Sequence, residues 1–268
     1  MNSTRTKILL VLPGLVFVMA VALIPRGGAR QPGRVQETTV LAAASLNDVM
    51  QPLGDKFGRR SGIGVRLDFA SSGLLRKKIE AGARADVFLS ASPEEVDSLQ
   101  GGGHVVPATR RAFLRNSLVC VLPRPLGSPI ARPADLLHPA VRRVAIGDPA
   151  HVPAGLHAKQ ALTHFGLLDA LEGKLVPCAD ARAALVQAEM ETVDAALVYL
   201  TDAMVSSKVR IAFSFPEESY APITYEASIL RTAHDIQAAQ AFLGFITSAE
   251  AQPVYARHGF LPVSGFAR

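Results

Sequence analysis

The sequence contains no tryptophan, and aromatic residues together make up only 6% of the chain. A surface that stacks nucleic-acid bases on aromatic rings is therefore poorly supplied. Cysteine is nearly absent too, with only Cys120 and Cys178. Two cysteines make no disulfide framework, and their spacing matches no metal motif. Each lies in or beside an apolar run, SLVCVLP and KLVPCAD, so one bridge in an oxidising compartment and two buried thiols both remain open. No serine has glycine at both flanking second positions, which removes the strained nucleophile elbow of an α/β-hydrolase. A Ser-x-x-Lys pair is missing as well, because Leu74 and Leu75 stand three residues after Ser71 and Ser72. His151, His157 and His164 form no i, i+4 pair, and no Cys or carboxylate completes a metal site with them. They read as surface or hydrogen-bonded histidines. No internal repeat or low-complexity tract occurs.

What is present is a chain of 268 residues with 49% hydrophobic content, enough for one large domain or two ordinary ones. The net charge of +5 comes from basic residues scattered along the chain, the pattern of a solvated surface rather than of a nucleic-acid patch. Arg5 and Lys7 precede the uncharged run ILLVLPGLVFVMAVALI, and small residues follow up to Ala29. Residues 1–29 read as a signal peptide, or as a retained N-terminal anchor, since the run exceeds the roughly 7–15 residues of a usual h-region. No Cys follows it, so a lipid anchor at the cleavage site is excluded. The rest of the chain is expected to be exported.

After a linker at 30–36, apolar runs alternate with amphipathic stretches. TTVLAAA, VRLDFA, ADVFLSA, SLVCVLP, RRVAIG, GKLVPC and AALVY read as strands. SLNDVMQPLGDKFGRRSG, GLLRKKIEAG, SPEEVDSLQGGG, AGLHAKQALTHFG and ARAALVQAEME read as helices between them. The tail adds VRIAFSFP, an extended TYEASILR and the helix DIQAAQAFLGFITS. Alternation of this kind predicts α/β architecture with largely parallel sheets flanked by helices, where ligands sit at strand C-terminal ends.

Those junctions carry the chemistry. Ser45, three residues before Asp48, reads as a serine N-cap, and Ser71 and Ser72 follow LDFA in the same way. Further helix starts fall at Ala154 and Gly155 and near Ala181, with Asp180 as a cap. Each start offers unpaired N–H groups and about half a positive charge, so four converging starts would present roughly two charges to a small dianion. A serine before a helix is also an ordinary local cap that needs no ligand. The cluster Arg76, Lys77 and Lys78 lies a turn or more past its helix start and reads as a solvated face, with a steering role for anions open.

Taken together, AAASL, FASSG, IEAGARADVFLSA, RNSLVCVLP, GDPAHVPAG, VYLTDA and ARHGFLPV, from about Thr38 to Val263, resemble the periplasmic molybdate-binding proteins of ABC-type importers. The resemblance implies a two-lobed periplasmic-binding-protein fold (type II), with residues 37–117 and 218–268 in one lobe and 118–217 in the other. A hinge would then lie near Ser117 and Pro216. It implies a carrier rather than an enzyme, with no cofactor, and with molybdate or tungstate as ligand. Ser45 and Ser72 would bind it through hydroxyl and amide, Ala154 and Ala181 through main-chain N–H, and Tyr199 through its phenol. Ala91, at another junction, is a further candidate to line the cleft. Two positions depart from the family: Ala181 replaces a frequent valine, and Gly73 replaces a frequent hydroxyl residue, which suggests a looser wall there. The implied partner is a membrane permease with its ATPase. No nucleic acid is expected, and membrane contact would come only through that permease or an uncleaved leader. A receptor for sulfate or another tetrahedral oxyanion, or a membrane-tethered serine hydrolase, are the alternatives.

Overall fold

The computed structural model describes residues 36–124 and 130–263. The expected leader and all but the last residue of the expected linker lie outside the described residues. Two sheets form the frame. In the first, β1 (Glu37–Ala43) pairs in parallel with β2 (Gly64–Ala70) and β3 (Val87–Ser90). In the second, β6 (Val144–Gly147) pairs in parallel with β7 (Leu175–Cys178) and β8 (Ala195–Tyr199). The remaining strands join antiparallel. β4 (Arg111–Arg115), β10 (Thr224–Ile229) and β11 (Leu261–Pro262) extend the first sheet, and β5 (Leu118–Pro123) and β9 (Val209–Ser214) the second. The largely parallel character expected from the alternation thus belongs to the two strand triplets whose ends carry helices. The chain changes sheet twice, at Asn116–Ser117 and between Phe215 and Ile223.

Both faces of each sheet are covered, so the strands alternate between two apolar layers. Along β1, Val40 and Ala42 enter the main core with Val49, Leu53 and Phe57 of α1 (Asn47–Ser61) and Phe242 of α8 (Ile236–Ile246). Leu41 faces the other way, toward Leu75 and Ile79 of α2 (Ser72–Glu80) and Val96 and Leu99 of α3 (Pro93–Gly101). Along β8, Leu197 and Tyr199 pack with Ala158 and Leu162 of α4 (Pro153–His164), whereas Ala196 and Val198 meet Ala184, Leu185 and Ala188 of α6 (Ala181–Glu189). Short helices α5 (Leu168–Leu171), α7 (Leu200–Met204) and α9 (Gln252–Arg257) complete the chain. β4, α7 and α9 have too short a period to stand out in the sequence.

Cys120 sits on β5 and Cys178 ends β7, and both are free. The order β7-β6-β8-β5 separates them by three strand spacings, about 14 Å, beyond the roughly 7 Å that a disulfide can span. Burial pushes the Cys120 thiol pKa far up, so it stays an inert core residue.

The turn from β6 into α4 brings two backbone segments into close approach. A Cβ on Gly155 would stand 1.9 Å from the Gly147 carbonyl oxygen, so only glycine lets the helix start return over the end of its own strand. Gly155→Ala is expected to cost about 1–3 kcal/mol of stability by overpacking. Urea unfolding measures this, and wild-type stability in the variant would disprove the close approach.

Candidate functional site

The C-terminal ends of the two parallel triplets meet at one narrow cavity. It is lined by Ala43, Ala44 and Ser45 after β1, Ser71 and Ser72 after β2, and Ala91 after β3. From the second sheet come Val152, Pro153 and Ala154 before and in α4, Asp180 and Ala181 at α6, and Tyr199 at the end of β8. All six residues singled out in the sequence are therefore at one place. The cavity encloses about 20 Å³, far below the roughly 300–1,000 Å³ of pockets for drug-sized ligands. It suits one compact ion. No lysine or arginine lines it.

Each hydroxyl in it has a defined partner behind it. The Ala91 N–H donates to Ser72 Oγ at 3.0 Å, filling an acceptor site and leaving the Ser72 hydrogen free for the cavity. Ser45 Oγ lies 2.8 Å from Tyr225 Oη, which receives a hydrogen bond from Asn116 Nδ2 at 3.0 Å. With Asn116 feeding the phenol oxygen, a Tyr225 hydrogen given to Ser45 would leave the Ser45 hydrogen for the cavity. The other Asn116 hydrogen goes to Thr201 Oγ1 at 2.9 Å. Tyr199, on the opposite wall, is 1% exposed, and burial holds its pKa well above the usual tyrosine value, so it is a neutral donor. His157 Nδ1 stands 3.1 Å from Tyr199 Oη. The tautomer protonated at Nδ1 gives its hydrogen to that oxygen and leaves the phenol hydrogen for the cavity.

Backbone donors complete the set. Ala154 in the first turn of α4 and Ala181 at the first position of α6 have N–H groups with no acceptor inside their helices. Asp180 caps α6 as expected, accepting from the Ala183 N–H at 2.8 Å, so its carboxylate is committed to the helix. Asp148 braces the preceding loop through the Ala150 N–H.

Two expectations are corrected by this geometry, at Ser45 and Gly73. Ser45 does not cap α1. It lies within a 3-10 turn at Ala44–Leu46, Leu46 occupies the cap position, and the hydroxyl is claimed by Tyr225 instead. Ala91 does line the cavity, and its N–H is given to Ser72. Gly73 does not loosen the wall. Its N–H donates to the His151 carbonyl at 3.2 Å from the opposite side, and a Cβ there would stand 2.5 Å from that oxygen. The glycine marks a close approach of the two walls.

A second bridge runs beside it. Arg182, next to Ala181, pairs through Nε with the fully buried Asp202 at 2.7 Å and through Nη2 with Asp48 of α1. Two members of the basic cluster on α2 are otherwise engaged: Arg76 pairs with Glu80 and Glu95, and Lys78 with Asp68. Sequence reasoning missed Tyr225, Asn116 and the Arg182 bridge, and saw no role for His157. The one available signal was scarcity: of only four tyrosines in the chain, Tyr199, Tyr220 and Tyr225 cluster behind this cavity, with His157 6.0 Å from both Tyr199 and Tyr220. Among the described residues, no group of His, Cys, Asp and Glu is arranged to hold a metal ion.

Comparison with known proteins agrees with this architecture. Residues 38–261 match the family model described as "Bacterial extracellular solute-binding protein". The chain is 36% identical over 231 residues to the molybdate-binding protein ModA of Escherichia coli K12, covering 83% of this chain and 88% of that protein. It is 34% identical over 228 residues to ModA of Haemophilus influenzae, covering 84% and 89%. Among solved structures, the periplasmic molybdate-binding protein of Azotobacter vinelandii superposes with a TM-score of 0.76 at 24% identity, over 85% of this chain and 100% of that one. The substrate-binding domain of a putative molybdenum ABC transporter from Clostridium difficile gives a TM-score of 0.67 at 28% identity, over 85% and 99%.

The environment of His157 yields a pH signature. Burial is the main cause that lowers its pKa to about 4, whereas an unfolded imidazole takes up its proton near 6.5. Between those values the unfolded chain binds the extra proton, so this contribution to stability is present above about 6.5 and is lost as pH falls, by about 2 kcal/mol at pH 5. Asp202 acts in the opposite sense. Burial raises its pKa to about 6, so its contribution is lost as pH rises through that value. His157→Gln removes only the first effect. In urea unfolding at pH 7 and pH 5, the wild type is expected to lose about 2 kcal/mol more than the variant on acidification. Equal losses would mean that the imidazole is not held neutral.

Proposed function

The chain belongs to the family of bacterial extracellular solute-binding proteins, and from that premise we propose that it captures molybdate, and also tungstate, for an ABC-type importer. The observation that carries this reading is a small cavity lined by uncharged hydroxyl and N–H donors, with the Asp180 carboxylate bound to its own helix. Ser45, Ser72, Tyr199, Ala154 and Ala181 line a space too small for an organic solute, with no cationic side chain among its lining residues, and on this reading they give it hydroxyl and N–H hydrogens. Such a site selects an anion that carries no proton. Monohydrogen phosphate must place its own O–H against these donors, and an unpaired buried hydrogen costs about 1–3 kcal/mol. Two relatives named for molybdate, at 36% and 34% identity, each match more than four-fifths of this chain, which supports the same ligand.

On this reading the protein is a periplasmic carrier, not a catalyst. It needs no cofactor, and it hands the bound oxyanion to a membrane permease driven by a cytoplasmic ATPase. Ser45 and Ser72 belong to one lobe, residues 37–117 with 218–268. Ala154, Ala181 and Tyr199 belong to the other, residues 118–217. Ligand release then requires the lobes to part about the crossings near Ser117 and Pro216. The Gly73 and Arg182 contacts across the cleft fit a closed arrangement.

A thermal-shift series with molybdate, tungstate, sulfate and phosphate tests the ligand. At a hundred times the dissociation constant, molybdate and tungstate are expected to raise the melting temperature by about 5–10 °C, with little effect from sulfate or phosphate at equal concentration. Ser45→Ala and Ser72→Ala should each weaken molybdate binding more than tenfold. No shift with any anion, or unaltered affinity in both variants, would refute the site. Small-angle scattering tests closure: the radius of gyration should fall when molybdate is added, and unchanged dimensions would count against a moving cleft.

A further inference from the structure

We infer that Ser71 Oγ is a fourth hydroxyl donor to the bound oxyanion, beyond the serines at 45 and 72; the inference rests on the receptor reading above. Ser71 occupies the N-cap of α2 with extended backbone angles, φ −62° and ψ 145°. A serine at that position ordinarily accepts a hydrogen bond from an N–H of the first helical turn. This one makes no such bond. Its residue is 4% exposed, its Oγ is buried without any hydrogen-bond partner, and it lines the cavity beside Ser72. Buried hydroxyls are nearly always paired, so an orphan facing a cavity points to a ligand that completes it.

The neighbouring groups explain why the hydroxyl is free. The Gly73 N–H, one of the donors that a cap would satisfy, is already taken by the His151 carbonyl across the cleft. The fold does use a side-chain cap on the other wall, where Asp180 accepts from Ala183. Ser72 and Ser45 each have a protein partner at the hydroxyl, Ala91 N–H and Tyr225 Oη. Ser71 has none, so its O–H keeps full rotational freedom to follow an anion oxygen. A charge-assisted bond of that kind adds to affinity without adding to the stability of the empty protein.

Titration calorimetry of the wild type and Ser71→Ala with sodium molybdate and sodium tungstate separates the readings, with the melting temperature of each ligand-free protein measured in parallel. The expected result is at least a tenfold loss of affinity for both anions in Ser71→Ala, with a ligand-free melting temperature that is equal or higher, because an unpaired buried hydroxyl has been removed. Wild-type affinity in the variant overturns the inference, and a lowered ligand-free melting temperature alongside it would identify Ser71 as a plain helix cap. If the wild type itself binds neither anion, the receptor reading falls, and the inference with it.

Discussion

A hydroxyl carries one hydrogen, so what it can offer a ligand is decided by what feeds its lone pairs. The site depends on that constraint. The Ala91 N–H feeds Ser72, and Asn116 feeds Tyr225, which is itself hydrogen-bonded to Ser45. Each donor behind the wall turns a group that could accept into one that gives. The strand order makes this possible, because β3 brings Ala91 beside the end of β2's neighbour β1, and β10 brings Tyr225 within reach of the turn after β1. Moving any of these strands by one register position would exchange inward for outward side chains and dismantle the relay.

The same economy governs charge. An ionised side chain in a cavity this small would bind a partner of opposite sign strongly but would also need its own counter-ion when the cavity is empty. Helix starts avoid that cost, since their partial charge is fixed by the backbone. Arg182 is the nearest instructive contrast. It stands next to Ala181, yet it is held by Asp202 and Asp48, so its charge is spent on joining walls rather than on attracting the anion.

Much of this was legible before the fold was known. The alternation of apolar runs with amphipathic stretches placed each of Ser45, Ser72, Ala154, Ala181 and Tyr199 at a strand end, and the wording of those junctions tied them to one another. The supporting residues were not legible, for a physical reason. Ser45 and Tyr225 are 180 positions apart, and Asn116 and Tyr225 are 109 apart, so no local pattern connects them. Ser45 misled because Ser-x-x-Asp is a local signal, and a single 3-10 turn moved the helix start past it. Gly73 misled because the lack of a side chain was read as empty space, when the His151 carbonyl fills it.

That last contact reaches into the timing of exchange. The Gly73 N–H bond to His151 joins backbone to backbone, so it must break whenever the cavity opens, whatever side chains surround it. Its closeness is set from one side only: in this backbone arrangement a Cβ at position 73 would stand 2.5 Å from the His151 oxygen. On the proposed reading, a change at this position would alter the meeting of the walls without touching the groups around the anion. On that same reading, the glycine bears on how long the cargo stays, and the hydroxyls on which cargo it is.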